Sequence, residues 1–277
     1  MTGAFSVRLA RDFISARGAD ARSFLHSQLS NDIASLAAGS SKYSFVLEPT
    51  GKLSAFMRVR CVSDEHFEID VDEGCGTAAL ARLNKFKIRV KCEFELSTQP
   101  VLGLRGLDAS SRTAALAVPG AVAAWREGDG AVDVFGGDAL AVAARMSVAL
   151  ADDAGYNAER VRCCWPIFGV DIDADTIPAE TSLVDVCVSF TKGCYPGQEL
   201  VERMDSRGST APRMLMRLPA RPNGAGGATS RTVTAIAGDL YMVNGQPIGR
   251  CTSVAGDFAL VMVTRAHLGD AVALASP

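Results

Sequence analysis

From Lys85 to Leu96 every second residue is apolar: Phe86, Ile88, Val90, Cys92, Phe94 and Leu96 alternate with Lys85, Lys87, Arg89, Lys91, Glu93 and Glu95. A period of two over this length predicts a strand with one buried and one wet face. Its lysines and arginine are either a solvated face or the rim of an anion-binding cleft. Upstream, Phe24, Leu25, Gln28 and Leu29 follow Asp20 at helical spacing, which predicts a helix capped by Asp20 and ending near Asn31-Asp32. Tyr43 to Leu47 reads as a strand, Glu48 to Lys52 as a turn, and Leu53 to Cys61 as the returning partner. His66 to Val71 alternates again, and Thr77 is placed to cap a short helix presenting Leu80 and Leu83.

Val101 to Leu104 begins another strand, and Ala121 to Phe135 reads as a hairpin around Glu127-Gly128-Asp129-Gly130. Alanine-rich composition supports a helix from Ala139 to Leu150. Beyond Pro212 the character changes. Arg221 to Gly227 reads as a flexible loop, followed by short strands at Thr232 to Ile236, Leu240 to Val243, Ile248 to Val254 and Phe258 to Thr264. Asn244-Gly245 supplies a hairpin turn between two of them. Strands and helices mix without the alternation of a parallel doubly wound fold, so the expected class is α+β with antiparallel sheets. The last strands predict a small β-barrel or sandwich.

The chain has 277 residues, 48% hydrophobic and 21% charged, enough for about two domains. A net charge of -3 provides no global cationic field, which argues against direct nucleic-acid or anionic-membrane partners. No apolar run reaches about 18 residues, so no membrane span is expected. Met1 to Phe5 lacks a charged segment leading into an apolar core, so no secretory signal is expected either. None of the 8 cysteines are spaced Cys-x-x-Cys and there are 3 histidines, which argues against a dedicated metal site. Cys163-Cys164 reads as two thiols rather than a strained vicinal disulfide. Scattered cysteines fit a reducing, cytoplasmic setting.

The chemistry concentrates in Lys192-Gly193-Cys194-Tyr195-Pro196-Gly197-Gln198-Glu199. Gly193 and Gly197 let the backbone turn tightly around Cys194. Pro196 suits a first helical turn, with Leu200, Val201 and Met204 continuing at helical spacing. Cys194 would then sit just before a helix N-terminus, where the dipole and Lys192 favour a thiolate, making it a nucleophile or redox candidate. Gln198 and Glu199 can accept hydrogen bonds from a heterocycle or brace the loop. The alternative is a tight structural turn with a buried cysteine.

This octapeptide resembles the signature of the YgfZ family, relatives of the glycine-cleavage T-protein. Ile177-Pro178-Ala179-Glu180, Val188-Ser189-Phe190-Thr191, Glu202-Arg203 and Arg207-Gly208 around it are similar to mitochondrial iron–sulphur assembly homologues of that family. Phe24 to Asp32 is similar to the family's first helix, and Ile248-Gly249-Arg250-Cys251-Thr252-Ser253 resembles a T-protein barrel motif. The resemblance implies two interleaved α+β modules over residues 1–205, arranged around a central funnel, and a C-terminal β-barrel over 206–277. It implies tetrahydrofolate or a derivative in the funnel, and iron–sulphur enzymes as clients, some of which modify tRNA. Carried over position by position, it makes Cys194 the functional thiol. Lys192, Tyr195, Gln198, Glu199, Arg203, Trp165, Arg162, Asn31 and Asp32 become the residues around a folate. Lys192, Arg203 and Arg207 would hold an anionic tail, and Trp165 and Tyr195 would stack on a flat ring.

The sequence departs from the catalytic relative in two places. Where the T-protein carries Gly-Gly-x-x-Asp-Asp, this chain reads Gly51-Lys52-Leu53-Ser54-Ala55-Phe56, and neither Ala55 nor Phe56 can act as a base. Where the T-protein pairs a glutamate with the pterin's amino edge, Arg162 stands, and a cation repels that donor edge. The expectation is an accessory protein for iron–sulphur enzymes; the alternative is an aminomethyltransferase or demethylase of the T-protein type.

Overall fold

Strand β1 (Phe5–Arg17) is the axis of the first half of the chain. It pairs antiparallel with β5 (Glu93–Arg105) along its whole length and with β4 (His66–Asp72) over its second half. The computed structural model describes residues 3–136, 142, 148–206, 211–221 and 235–275. The eight-stranded sheet adds β2 (Ser41–Leu47), β3 (Leu53–Ser63), β6 (Ala121–Ala124) and β7 (Ala131–Phe135) in the order β2-β3-β4-β1-β5-β7-β6. A short β8 (Ala149–Leu150) lies parallel on Phe5-Ser6. Helices α1 (Ala21–Gln28) and α2 (Gly76–Lys85) cover one core, built on Ile14, Phe24, Leu25, Leu29, Met57 and Ile69. Helix α3 (Ala109–Leu116) covers a second, with Leu102, Leu104, Val132 and Val134.

The chain divides into two compact units, Met1–Asp152 with Asp185–Leu200, and Asp153–Val184 with Val201–Pro277. Residues 153–184 group with Val201–Pro277 in the second unit. The second unit holds α4 (Asp153–Arg162) and a four-stranded antiparallel sheet, order β10-β11-β12-β9. Its strands are β9 (Arg213–Pro219), β10 (Leu240–Val243), β11 (Gln246–Ala255) and β12 (Phe258–Thr264). Asn244 and Gly245 both take positive φ, 50° and 81°, as the predicted hairpin turn requires. Helix α5 (Gln198–Ser206) carries residues of both units, and α6 (Leu268–Ala275) closes the described chain.

The alternating stretch from Lys85 to Leu96 is not one strand. Helix α2 runs through Lys85, because Ala79 and Leu83 are buried against the sheet. Residues 86–92 then cross as a loop, with Arg89 at φ 57°. Lys87 Nζ donates to the Cys92 carbonyl at 2.7 Å, and the Lys91 amide donates to Asp20 Oδ2 at 2.8 Å. Val90 and Cys92 reach the core from this loop and Phe94 from the strand after it, while Ile88 is 76% exposed. The strand begins at Glu93 and absorbs the one expected separately at Val101. Side chains also cap helices other than those expected. Asp20 stands at the N-cap of α1 without a side-chain cap bond, and Asp12 from β1 serves α2, accepting the amides of Gly74 and Gly76. Of the expected helix 139–150, residues 139–141 and 143–147 lie outside the described residues, and Ala149-Leu150 form a strand. Residues 222–227 and 232–234 also lie outside them. Among the described residues no helix is long and apolar enough to cross a membrane.

The first sheet curls until strands far apart in its order meet. Arg58 on β3 lies 2.9 Å from Asp133 on β7, although β4, β1 and β5 intervene. Arg58 also donates to both oxygens of Asp70, at 2.9 and 3.2 Å, and Arg105 meets Asp133 at 2.8 Å. All four side chains are buried. Burial alone would raise the Asp133 carboxyl; Arg105 and Arg58 outweigh it and hold the group below the usual carboxylate range. Removing one member leaves charges buried without compensation. Asp133→Ala is therefore expected to cost about 3–5 kcal/mol of stability, measured by urea unfolding.

Candidate functional site

The octapeptide lies in the first unit, seated on two features that the sheet has already fixed. The first is the end of α1. There the chain leaves the helix: the Ser30 amide donates to the Phe45 carbonyl at 3.0 Å rather than back to His26. Asn31 follows, its side-chain amide donating to the carbonyls of Tyr43 (2.8 Å) and Val186 (2.9 Å), while its Oδ1 accepts the Asp32 amide at 2.8 Å. Ser30 Oγ donates to the Cys187 carbonyl at 2.7 Å, and the Ser189 amide donates to the Ser30 carbonyl at 3.0 Å. Residues 186–189 are thereby tied to the segment joining α1 to β2.

Lys192 completes this anchor. Its Nζ donates to the carbonyls of His26 and Leu29, and it lies 5.0 Å from the centre of the Tyr195 ring. Burial brings the Lys192 ammonium down to about 8, with Asp32 acting in the opposite direction. Asp32 is held below the usual carboxylate range chiefly by the Ser35 hydroxyl, and also accepts the amides of Ala34 and Ser35. Burial, then Lys192, lowers His26, whose Nδ1 accepts the Ala34 amide at 3.1 Å.

The second feature is the turn between β2 and β3. Arg82 of α2 donates to Glu48 Oε1 at 3.0 Å and to the Leu47 carbonyl, and Ser54 donates to the same Glu48 oxygen at 2.8 Å. Gly197, at φ 80°, presses on this turn so closely that a Cβ there would lie 2.5 Å from the Glu48 carbonyl oxygen. A Cβ on Gly51 would meet Leu200 at 2.6 Å. Gln198 and Tyr195 close the loop on itself: the Tyr195 amide donates to Gln198 Oε1 at 3.3 Å, and the Gln198 amide to the Tyr195 carbonyl at 3.2 Å. The helix starts at Gln198, so Pro196 is outside it and Cys194 lies four residues ahead of its first residue.

Cys194 is exposed, and Tyr195 beside it is buried. Lys192, Tyr195, Asn31 and Asp32 are thus brought together, but as the seat of the loop: the donors of Asn31 and two of those of Lys192 turn inward onto backbone carbonyls. Glu199 and Arg203 are exposed on α5. Arg207 lies outside the described residues. Ala55 and Phe56 are buried in β3, with Phe56 stacked on Tyr43 at 5.6 Å.

Arg162 and Trp165 belong to the second unit. Arg162 grips Glu159 with two bonds, 2.8 and 2.7 Å, and Trp165 is buried. Sequence reasoning missed the hub beside them. Asp171 accepts from Arg160 at 2.8 Å, Thr252 at 2.6 Å and Ser253 at 2.7 Å. Thr252-Ser253 of the barrel-like motif are therefore hydroxyl donors to a buried carboxylate. The Arg160 that precedes Arg162 was the available signal, since a buried arginine needs an anionic partner.

No family model matches the chain. It is similar to an uncharacterized protein of Haemophilus influenzae, 26% identical over 215 residues, 73% of this chain and 69% of that protein. It is similar to the tRNA-modifying protein YgfZ of Vibrio vulnificus, 26% identical over 248 residues, 85% and 76% of the two chains. The corresponding protein of Edwardsiella ictaluri is 29% identical over 222 residues, 71% and 65%. Among solved structures, the glycine cleavage system aminomethyltransferase T of Bartonella henselae superposes with a TM-score of 0.72 at 20% identity, covering 96% of this chain and 80% of that one. That likeness concerns the fold.

Gly197→Ala combines a left-handed backbone with a clash against the Glu48 carbonyl. The variant is expected to lose more than about 1 kcal/mol in chemical unfolding, with faster amide exchange in residues 192–199.

Proposed function

We propose that this chain, a YgfZ-like protein built on the glycine-cleavage T-protein fold, is a folate-binding accessory protein that supports iron–sulphur enzymes through the Cys194 thiol. The observation that carries the reading is the seat of the octapeptide. Its backbone is tied down at Lys192 and at Gly197, while the cysteine between them is exposed. A buried structural cysteine would not need this arrangement. The name tRNA-modifying protein, carried by the Vibrio and Edwardsiella relatives, fits client enzymes that act on tRNA. Direct RNA binding finds no support in a net charge of -3. In the same reading the four strands of the second unit belong to a T-protein-like C-terminal barrel, and residues 1–205 to its two interleaved modules around the funnel.

The folate part rests on the likeness to T-proteins. Of the side chains named for it, Asn31 and two donors of Lys192 turn into the scaffold, Trp165 and Tyr195 are buried, and Arg162 is held by Glu159. The T-protein-type transferase is the second reading, favoured by the fold. Against it, Ala55 and Phe56 are buried apolar groups where that reaction needs a carboxylate.

Cys194→Ala is expected to fold normally and to abolish rescue of a strain lacking its own family member; full rescue would remove the thiol role. The folate part requires saturable calorimetric binding of tetrahydrofolate with a Kd on the order of micromolar. Absence of saturable heat up to about 1 mM would remove it. Robust formation of methylene-tetrahydrofolate from an aminomethyl-lipoyl carrier would promote the transferase reading over ours.

A further inference from the structure

We propose that Lys192 is a positioning residue: the N–H donors of its side-chain amine lock the octapeptide onto the end of α1, so that Cys194 is presented from a fixed loop. The role assigned to this lock rests on the reading of Cys194 as the functional thiol.

The last carbonyls of a helix lack intrahelical donors. At the end of α1 the His26 carbonyl loses its usual partner because the Ser30 amide turns to Phe45. Lys192, far along the sequence, supplies the missing donor and serves the Leu29 carbonyl as well. The helix dipole leaves partial negative charge on these carbonyls, which strengthens their hold on the N–H donors of the amine. The Tyr195 ring lies against the ammonium at 5.0 Å. The charged and titratable groups coupled to it are Asp32 of the following loop and His26 of α1; both also feel Lys42 of β2, which donates to the Asp32 carbonyl at 3.0 Å. Asp32 is the carboxylate that favours the charged form of Lys192. With two of its donors on carbonyls inside the protein, the side chain acts as a fastener of the loop rather than as a ligand contact. Cys194 then sits between two fixed points, Lys192 on α1 and Gly197 on the β2–β3 turn.

A proton linkage follows. In the closed loop Lys192 holds its proton only to about 8, whereas a free lysine holds it to about 10.4. The open form binds more protons between these values, so raising the pH through this window favours the closed loop. A neutral amine keeps two N–H groups, enough for both carbonyls.

The test is amide exchange of the full chain, corrected for intrinsic rates, from about pH 6.5 to about pH 9.5, for wild type, Lys192→Met and Lys192→Arg. Alkylation of Cys194 by iodoacetamide is quantified on its own peptide at neutral pH. In wild type, protection of the Ser189 amide is expected to rise about tenfold above pH 8. Lys192→Met is expected to lose about tenfold in protection at neutral pH, to show no pH dependence, and to alter the Cys194 alkylation rate. Lys192→Arg, always charged, is expected to lack the pH dependence while keeping more protection than the Met variant. A flat wild-type profile would overturn the proton linkage. A Met variant indistinguishable from wild type would overturn the lock itself, as would a loss of protection spread equally over β3 and β4, which would mark general stabilisation. If Cys194→Ala rescues fully while the exchange results hold, the thiol reading fails and with it the purpose assigned to the lock; the exchange data identify which of the two was wrong.

Discussion

The contact between Arg58 and Asp133 is the constraint on which the first unit depends. Strands β3 and β7 are separated by three others in the sheet, so a 2.9 Å ion pair between them requires the sheet to curl. Two buried arginines and two buried aspartates are costly to desolvate unless each is surrounded by partners. Here Arg58 is shared between Asp70 and Asp133, and Arg105 also donates to the carbonyls of Leu104 and Val132. Aromatic faces complete the enclosure, with Phe135 4.9 Å from Arg58 and Trp125 4.3 Å from Arg105. The same curl brings the Tyr43 hydroxyl to accept the Trp125 amide at 3.2 Å, joining β2 to the turn after β6.

Strand β2 is also the strand on which the functional loop depends. Its Tyr43 carbonyl receives Asn31, its Phe45 amide and carbonyl bond Ser30, and its end at Leu47-Glu48 forms the turn that receives Gly197. Through these links the ionic interior and the exposed thiol belong to one mechanical unit. The second unit repeats the principle on a smaller scale. There one buried carboxylate, Asp171, gathers α4, the segment after it and the bulge in β11 at Thr252-Ser253. In the first unit polar side chains such as Asn31 and Lys192 hold the backbone, and in the second a carboxylate holds other side chains.

Much of the architecture was legible in the residues. The spacing of Phe24, Leu25 and Gln28 placed α1, the turn residues at Glu48 to Lys52 joined β2 to β3, and Asn244-Gly245 marked the last hairpin. The alternation from Lys85 to Leu96 misled because a loop crossing a core also sends alternate side chains inward, so period two does not by itself require a pleated strand. The caps of α1 and α2 were not legible because Asp20 serves Lys91 and Asp12 serves a helix more than sixty residues away. Residues 153–184 joined the second unit through contacts such as Arg160 with Ser253, which no local pattern announces.

The sequence by itself determined the α+β class, most element positions, the family resemblance and the octapeptide with its single cysteine. It determined these because helical and strand periods, turn chemistry and a contiguous motif are local properties. It also showed that Ala55 and Phe56 supply no carboxylate, since that is a matter of identity alone. Only the tertiary structure decided what the polar residues of the motif do. Lys192, Asn31 and Asp32 became the seat of the loop, because the carbonyls that Lys192 and Asn31 meet at the end of α1 and on β2 are distant in the chain and are brought near only by folding. Cys194 remained exposed for the complementary reason: its neighbours on both sides are anchored inward.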